Sequence, residues 1–158
     1  MAETKKKAAK KAEAAEAPAA APKKRYNMKK SINLWAFPYP QLWSLTKCFE
    51  IAKDAGFDGG FSFEGPHDPF FPLVLAAQAT TRLELGTSVA IAFARNPINV
   101  AQLAWGMQVL ARGRFILGLG TQIQPHIERR FSMPWSKPVE RIRESLLAIR
   151  AIWRTIYL

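Results

Sequence analysis

The chain has 158 residues, 49% of them apolar, enough to build one domain with a buried core. Its formal net charge is +11, from 23 Lys and Arg against 12 Asp and Glu. No run of eighteen apolar residues occurs, which excludes a membrane-spanning helix. The single cysteine, Cys48, excludes an intrachain disulfide and fits a reducing, cytoplasmic setting.

Residues 1–30 stand apart. They are built almost wholly from Ala, Lys, Glu and Pro, and hold ten basic residues against three acids. Most of the net charge therefore belongs to this segment. It cannot bury enough apolar surface to offset the entropy of ordering, so it is expected to be a disordered tail. It lacks the continuous apolar stretch of a secretion signal, and its Lys bias and three Glu fit a transit peptide poorly. The plain reading is a solvated tail, native or engineered; the other is nonspecific attraction to nucleic acid or an acidic partner.

From Ile32 to Trp153 the chain writes four units of apolar run, loop and amphipathic helix. The first is a strand over Ser31–Phe37, a Pro38-Tyr-Pro40 loop and a helix over about 41–55, with Leu45, Cys48, Phe49 and Ala52 on one face and Gly56 at the C′ position. The second is a strand over Gly60–Phe63 and a helix to about Thr80, opened by Asp68-Pro69 as N-cap and first helical residue. In the third, a strand over Leu83–Ile91 precedes a helix opened by Asn96-Pro97, whose Val100, Leu103, Ala104, Met107 and Leu110 are spaced for burial. The fourth runs as a strand over Arg114–Gly120, a long loop over 121–137 and a helix with Val139, Ile142, Leu146, Ile149 and Trp153 at intervals of three and four. Repeated units of roughly thirty residues predict a parallel α/β sheet of TIM-barrel type. A full barrel takes eight units and about 250 residues, so residues 31–158 are expected to be a half barrel.

Loops after the strands lie on the face where parallel barrels build their sites. Here they carry Glu64, Gly65, Pro66 and His67, then Phe93 and Arg95, then Thr121, Gln122, Gln124, His126, Arg129 and Arg130. Neither histidine has a partner at metal-ligand spacing, so no metal site is expected. Gly118-Leu-Gly120 suggests a dinucleotide loop, but Ile123 stands where the third glycine belongs. The other explanation is close approach of a ligand or neighbouring backbone. Asp68 reads as a helix cap rather than an acid. His67 reads either as a site residue or as a loop histidine bonded to backbone. Arg129 and Arg130 follow His126 closely enough to hold an anionic group, or are simply solvated.

Leu85-Gly-Thr-Ser-Val89, Asn96-Pro97, Gly113-Arg-Phe-Ile-Leu-Gly-Leu-Gly-Thr121 and the Arg141–Trp153 helix, in this order and spacing, resemble the bacterial luciferase-like monooxygenase superfamily. The resemblance is closest to its branch using coenzyme F420, and Ala90–Pro97 with Pro125–Trp135 looks like one oxidoreductase subfamily within it. It implies a barrel with a flavin or deazaflavin ring over the C-terminal strand ends, backed by a non-prolyl cis peptide that would fall at Ser88–Val89. It places Glu64 at the acidic position after strand two, His67 near the ring, and Gly120, Thr121 and Gln122 where cofactor and substrate meet. Some F420-dependent relatives carry a glutamate proton donor just after the strand-four glycines, and this chain has Gln122. Proton transfer then falls to His67, Glu64, substrate or water.

The function implied is a flavin- or deazaflavin-dependent oxidoreductase: hydride transfer with F420, or oxygen activation with FMN, on a small-molecule substrate. Two rivals stand beside it. One is a catalytically inert half barrel that pairs with a complementary half or forms a homodimer; the other is a basic-tailed module binding nucleic acid.

Overall fold

The structure, a computed structural model, describes residues 28–39 and 41–157. Strand β1 (Ser31–Asn33) pairs with β2 (Gly59–Ser62), β2 with β3 (Glu84–Thr87), and β3 with β5 (Phe115–Ile116), all parallel. Two-residue continuations, β4 (Ala90–Ile91) and β6 (Leu119–Gly120), pair in the same sense. Strand order thus follows the chain without the reversal of a doubly wound sheet, as in the wall of a parallel barrel.

Among the described residues five α-helices connect and cover the strands: α1 (Leu45–Asp54), α2 (Phe70–Ala79), α3 (Pro97–Leu110), α4 (Gln124–Phe131) and α5 (Pro138–Ile152). α1, α2, α3 and α5 each pack against the next, forming an outer layer. The core lies between that layer and the sheet, where Phe49, Leu73, Leu83, Leu85, Ala104, Met107 and Phe115 are buried. Side chains alternate across the sheet. A Cβ at Gly60 would meet the Phe49 ring of α1, so that position faces the helices, whereas a Cβ at Gly86 would meet the ring of Phe61. The face bearing Phe61, Gly86 and Ile116 is the one away from the helices, and Ile116 there is 44% exposed.

The helix signals read from sequence are present. The Asn96 side chain accepts from Ile98 N at 3.0 Å with Pro97 opening α3, and Asp68 Oδ1 accepts from Phe70 N at 2.9 Å before α2. Gly56 follows α1 with φ 74°, the left-handed conformation that suits glycine. At the same end of the sheet, the Arg114 guanidinium donates to Leu83 O (2.6 Å) and Thr80 O (3.0 Å), holding the carbonyls of the turn between α2 and β3. Burial and the charge of Arg112 push its pKa down.

Several expected boundaries move. α1 starts at Leu45, not near residue 41, because Leu42 N and Trp43 N both donate to Pro38 O in a tight turn and Ser44 then caps the helix through Lys47 N. The loop expected over 121–137 contains α4. That helix is only eight residues long and mostly polar, so its one buried anchor, Ile127, gave no periodicity to read. Strands three and four, expected as single runs, are each broken midway. Leu103, Leu110, Val139 and Leu146, spaced for burial, are exposed. In α3 the buried stripe is Val100, Ala101, Ala104 and Met107, and Leu103 and Leu110 flank it in a groove between α2 and α3. In α5 only Ile149 is fully buried.

Residues 28–30 approach along the N-terminal ends of the strands. The Lys29 ammonium pairs with Glu84, which raises the lysine pKa. Lys30 N donates to Asp58 Oδ2 at 2.8 Å, and Lys30 O accepts from Asp58 N and Gly59 N at 2.7 and 3.1 Å. The rest of the expected tail, and with it the nucleic-acid reading, lies outside the described residues. Among the described residues no helix is long and apolar enough to cross a membrane.

Two glycine substitutions test this packing. A Cβ at Gly86 would sit 2.8 Å from the Ile116 carbonyl and 2.6 Å from the Phe61 ring, whereas one at Gly106 in α3 meets nothing within 4 Å. In urea unfolding, Gly86→Ala is expected to destabilise by about 2 kcal/mol. Gly106→Ala is expected to stabilise by roughly 0.5–1 kcal/mol.

Candidate functional site

The strand ends become irregular where the register changes. Gly86 pairs with Ile116, but Ala90 pairs with Leu119, so Thr87, Ser88 and Val89 oppose only Leu117 and Gly118. This is a one-residue bulge, and the Ser88–Val89 peptide within it is cis, at the position the resemblance implied. Thr87 replaces the lost ladder. Its hydroxyl donates to Gly118 O at 2.7 Å and accepts from Gly118 N at 2.9 Å, while Ala90 N donates to the same Gly118 carbonyl at 2.8 Å. Only glycine fits at 118, since a Cβ there would lie 2.0 Å from Thr87 O. The close approach left open for Gly118-Leu-Gly120 is therefore made, at least in part, by the protein: Thr87 backbone at Gly118 and the Val89 side chain at Gly120.

The bulge turns Ser88 and Val89 outward. Both are exposed, Val89 by 40%, whereas Leu85, Gly86, Thr87, Ala90 and Ile91 around them are buried. Gly120, Thr121 and Gln122 follow on the neighbouring strand and are half-buried. Gln122 has φ 61°, a left-handed conformation uncommon outside glycine and asparagine. Its side-chain oxygen accepts from Ile123 N at 3.0 Å, and Thr121 Oγ1 donates to Gln122 O at 3.0 Å.

Behind this shoulder lies a charge cluster. Glu64 has a side chain only 6% exposed. Its Oε2 accepts from Ile91 N at 2.6 Å, and its Oε1 lies 2.8 Å from Arg95 Nη2. The same Arg95 nitrogen is 3.2 Å from Asp68 Oδ2. Asp68 is thus cap and counter-ion together. Arg130 reaches across from α4 to donate to Gly65 O. The β2–α2 loop is held at Glu64, Gly65 and Asp68, and His67 between them is exposed.

His126, Arg129 and Arg130 are exposed on α4 at i, i+3 and i+4, hence on one face. Arg130 is already engaged with Gly65 O and packs 4.8 Å over the Phe131 ring. Across the rim, the exposed Trp35 stacks on Phe63, centroids 4.2 Å apart. Sequence reading did not mark Arg95 as a partner of Glu64, or mark this aromatic pair. A buried acid after strand two implies a counter-charge somewhere, and that was the one signal available for Arg95. Among the described residues no three His, Cys, Asp or Glu side chains gather as a metal site would require.

The chain and its fold have known counterparts. A family model for the luciferase-like monooxygenases matches residues 8–157. The chain belongs to that family. An uncharacterized protein of Mycobacterium tuberculosis is 63% identical over 98 residues, covering 62% of this chain and 29% of that protein. Another M. tuberculosis protein, named "Putative coenzyme F420-dependent oxidoreductase Rv3520c", is 38% identical over 123 residues, 77% of this chain and 35% of its own length. Among solved structures, the oxygenating constituent of 3,6-diketocamphane monooxygenase from Pseudomonas putida, in complex with FMN, superposes with a TM-score of 0.69 at 18% identity, over 80% of this chain and 40% of that one. That likeness shows the fold. The chain spans about a third of the length of these curated relatives.

The Thr87 bridge can be tested directly. Thr87→Val keeps the shape but strands Gly118 N–H against a methyl group, and is expected to cost on the order of 2 kcal/mol in urea unfolding.

Proposed function

We propose that this chain forms the N-terminal half of a (β/α) barrel in a flavin- or deazaflavin-dependent oxidoreductase, transferring hydride with coenzyme F420; the alternative within the same class is oxygen activation with FMN. One observation carries the reading. In a strand region otherwise buried, the register bulge presents Ser88 and Val89 as an exposed, uncharged shoulder at the C-terminal ends of the strands. A flat ring suits such a surface, and Gly120 beside it adds no side chain. Bound there, the cofactor would supply the hydride-exchanging or oxygen-reactive ring carbon.

The chain's own residues take the remaining roles. Ser88, Val89, Gly120, Thr121 and Gln122 line the ring. With both carboxylate oxygens of Glu64 engaged, that residue serves as an anchor, and the proton-handling role passes to exposed His67, whose loop is fixed on either side. Gln122 offers an amide, which can orient a substrate but not protonate it. His126 and Arg129 are left to meet an anionic group while Arg130 holds the loop. The relatives named for F420 and for FMN support the cofactor class.

Fluorescence titration of the purified chain with F420 and, separately, FMN tests this reading. Micromolar binding of one of them, weakened at least tenfold by Val89→Asp, is expected; binding of neither would refute it for this chain. In a chain that turns over, His67→Ala is expected to lower kcat by roughly 10²-fold or more with little change in cofactor affinity.

A second reading, self-association, is favoured by a different surface. α2 and α3 together carry no charged side chain, though the chain is +11 overall. The groove between them is lined by exposed Phe71, Leu103 and Leu110. Light scattering after size exclusion is expected to show a dimer that Leu110→Glu returns to monomer. A monomeric wild type would remove this reading.

A further inference from the structure

We propose that Arg95 is a positioning residue for the strand-end site: acting through Glu64, it sets where the Ser88–Val89 shoulder stands against β2. The proposal rests on the reading of that shoulder as the ring-binding surface.

Glu64 grips this strand twice, once in the bulge and once beyond it. Its backbone N donates to Val89 O at 3.3 Å, and its carboxylate accepts from Ile91 N at 2.6 Å. These two bonds flank Ala90. Together with Ser88 N donating to Ser62 O at 2.6 Å, they fix the outward-turned residues relative to β2. The second grip needs the carboxylate to point one way, and a carboxylate this buried needs a cation. Among the described residues Arg95 is the one that pairs with it, at 2.8 Å. The same nitrogen holds Asp68 at 3.2 Å, and Asp68 caps α2 through Phe70 N. One guanidinium therefore ties β2, the start of α2 and the turn after β4 into a single arrangement.

A purely stabilising role fits these observations less well. Taking the Glu64 carboxylate and most of the Arg95 guanidinium out of water costs about as much as their attraction returns, and Asp68, 29% exposed, adds a partly screened pair. Arg95 Nε is in addition buried without a hydrogen-bond partner, which raises the cost. A cluster that contributes little net stability but permits one geometry acts on position.

The test is amide hydrogen exchange by NMR on the purified chain, comparing wild type, Arg95→Met and the double variant Glu64→Gln/Arg95→Met. Leu85 N, which donates to Arg114 O on the far side of β3, is the internal control. In Arg95→Met the Ile91 amide is expected to exchange at least tenfold faster relative to Leu85. The double variant keeps an acceptor toward Ile91 without a buried charge, so its ratio should return to within about threefold of wild type. Equal acceleration of both amides, no acceleration, or no recovery in the double variant overturns the proposal. F420 and FMN titrations run on the same samples separate the two ideas. If wild type binds neither cofactor, the ring-binding reading falls, while the exchange ratios still decide for or against Arg95.

Discussion

Where the strand made of β3 and β4 and the strand made of β5 and β6 lose their ladder, a single hydroxyl makes two bonds in its place: Thr87 donates to Gly118 O and accepts from Gly118 N. Much of the remaining architecture depends on that bridge. It holds the two segments together across an extra residue, and it requires glycine at 118 because Thr87 O occupies the space of a side chain. The extra residue also changes which way the strand faces. Counting by two from Gly86 would send Ala90 to the open side of the sheet; with the bulge, Ala90 pairs with Leu119 and lies fully buried in the main core. The residues displaced to make this switch, Ser88 and Val89, are the ones left exposed at the strand ends.

What could be read from the sequence divides along the same line. Local devices were legible because their physics is local. Asn96-Pro97, Asp68 and Gly56 each satisfy or end a helix within three residues, and the buried face of α1 follows from spacing; on α3 spacing found Val100, Ala104 and Met107 but misplaced Leu103 and Leu110. The bulge was not legible from residues, since a period-two reading of Leu83–Ile91 assumes one unbroken register; the cis peptide within it was placed by resemblance alone. α4 was missed because a short helix of mostly polar residues with one buried isoleucine looks like a polar loop.

The site shows the same limit. His67 and Gln122 could be named because they follow strands, the position where parallel barrels place their chemistry; Ser88 and Val89, inside the expected third strand, were named by the resemblance alone. Which of the polar residues are occupied could not be read. Glu64 and Arg95 lie 31 positions apart, and the stack of Trp35 on Phe63 joins two different units. Neither pairing has a sequence signature. Such contacts decide which side chains are left to meet a ligand, and they turn a list of rim residues into a smaller set of exposed ones.

The docking of Lys29 and Lys30 has a practical consequence. Both engage the starts of strands, at Glu84 and at Asp58 with Gly59, whereas Ser88, Val89, His67 and Gln122 all lie at strand ends. At Lys29 and Lys30 the chain therefore enters the sheet on the side opposite its candidate-site rim. A support matrix, reporter or scaffold attached at the exposed Met28 would join from beneath the sheet and leave that rim facing outward, open to small molecules diffusing in from solution.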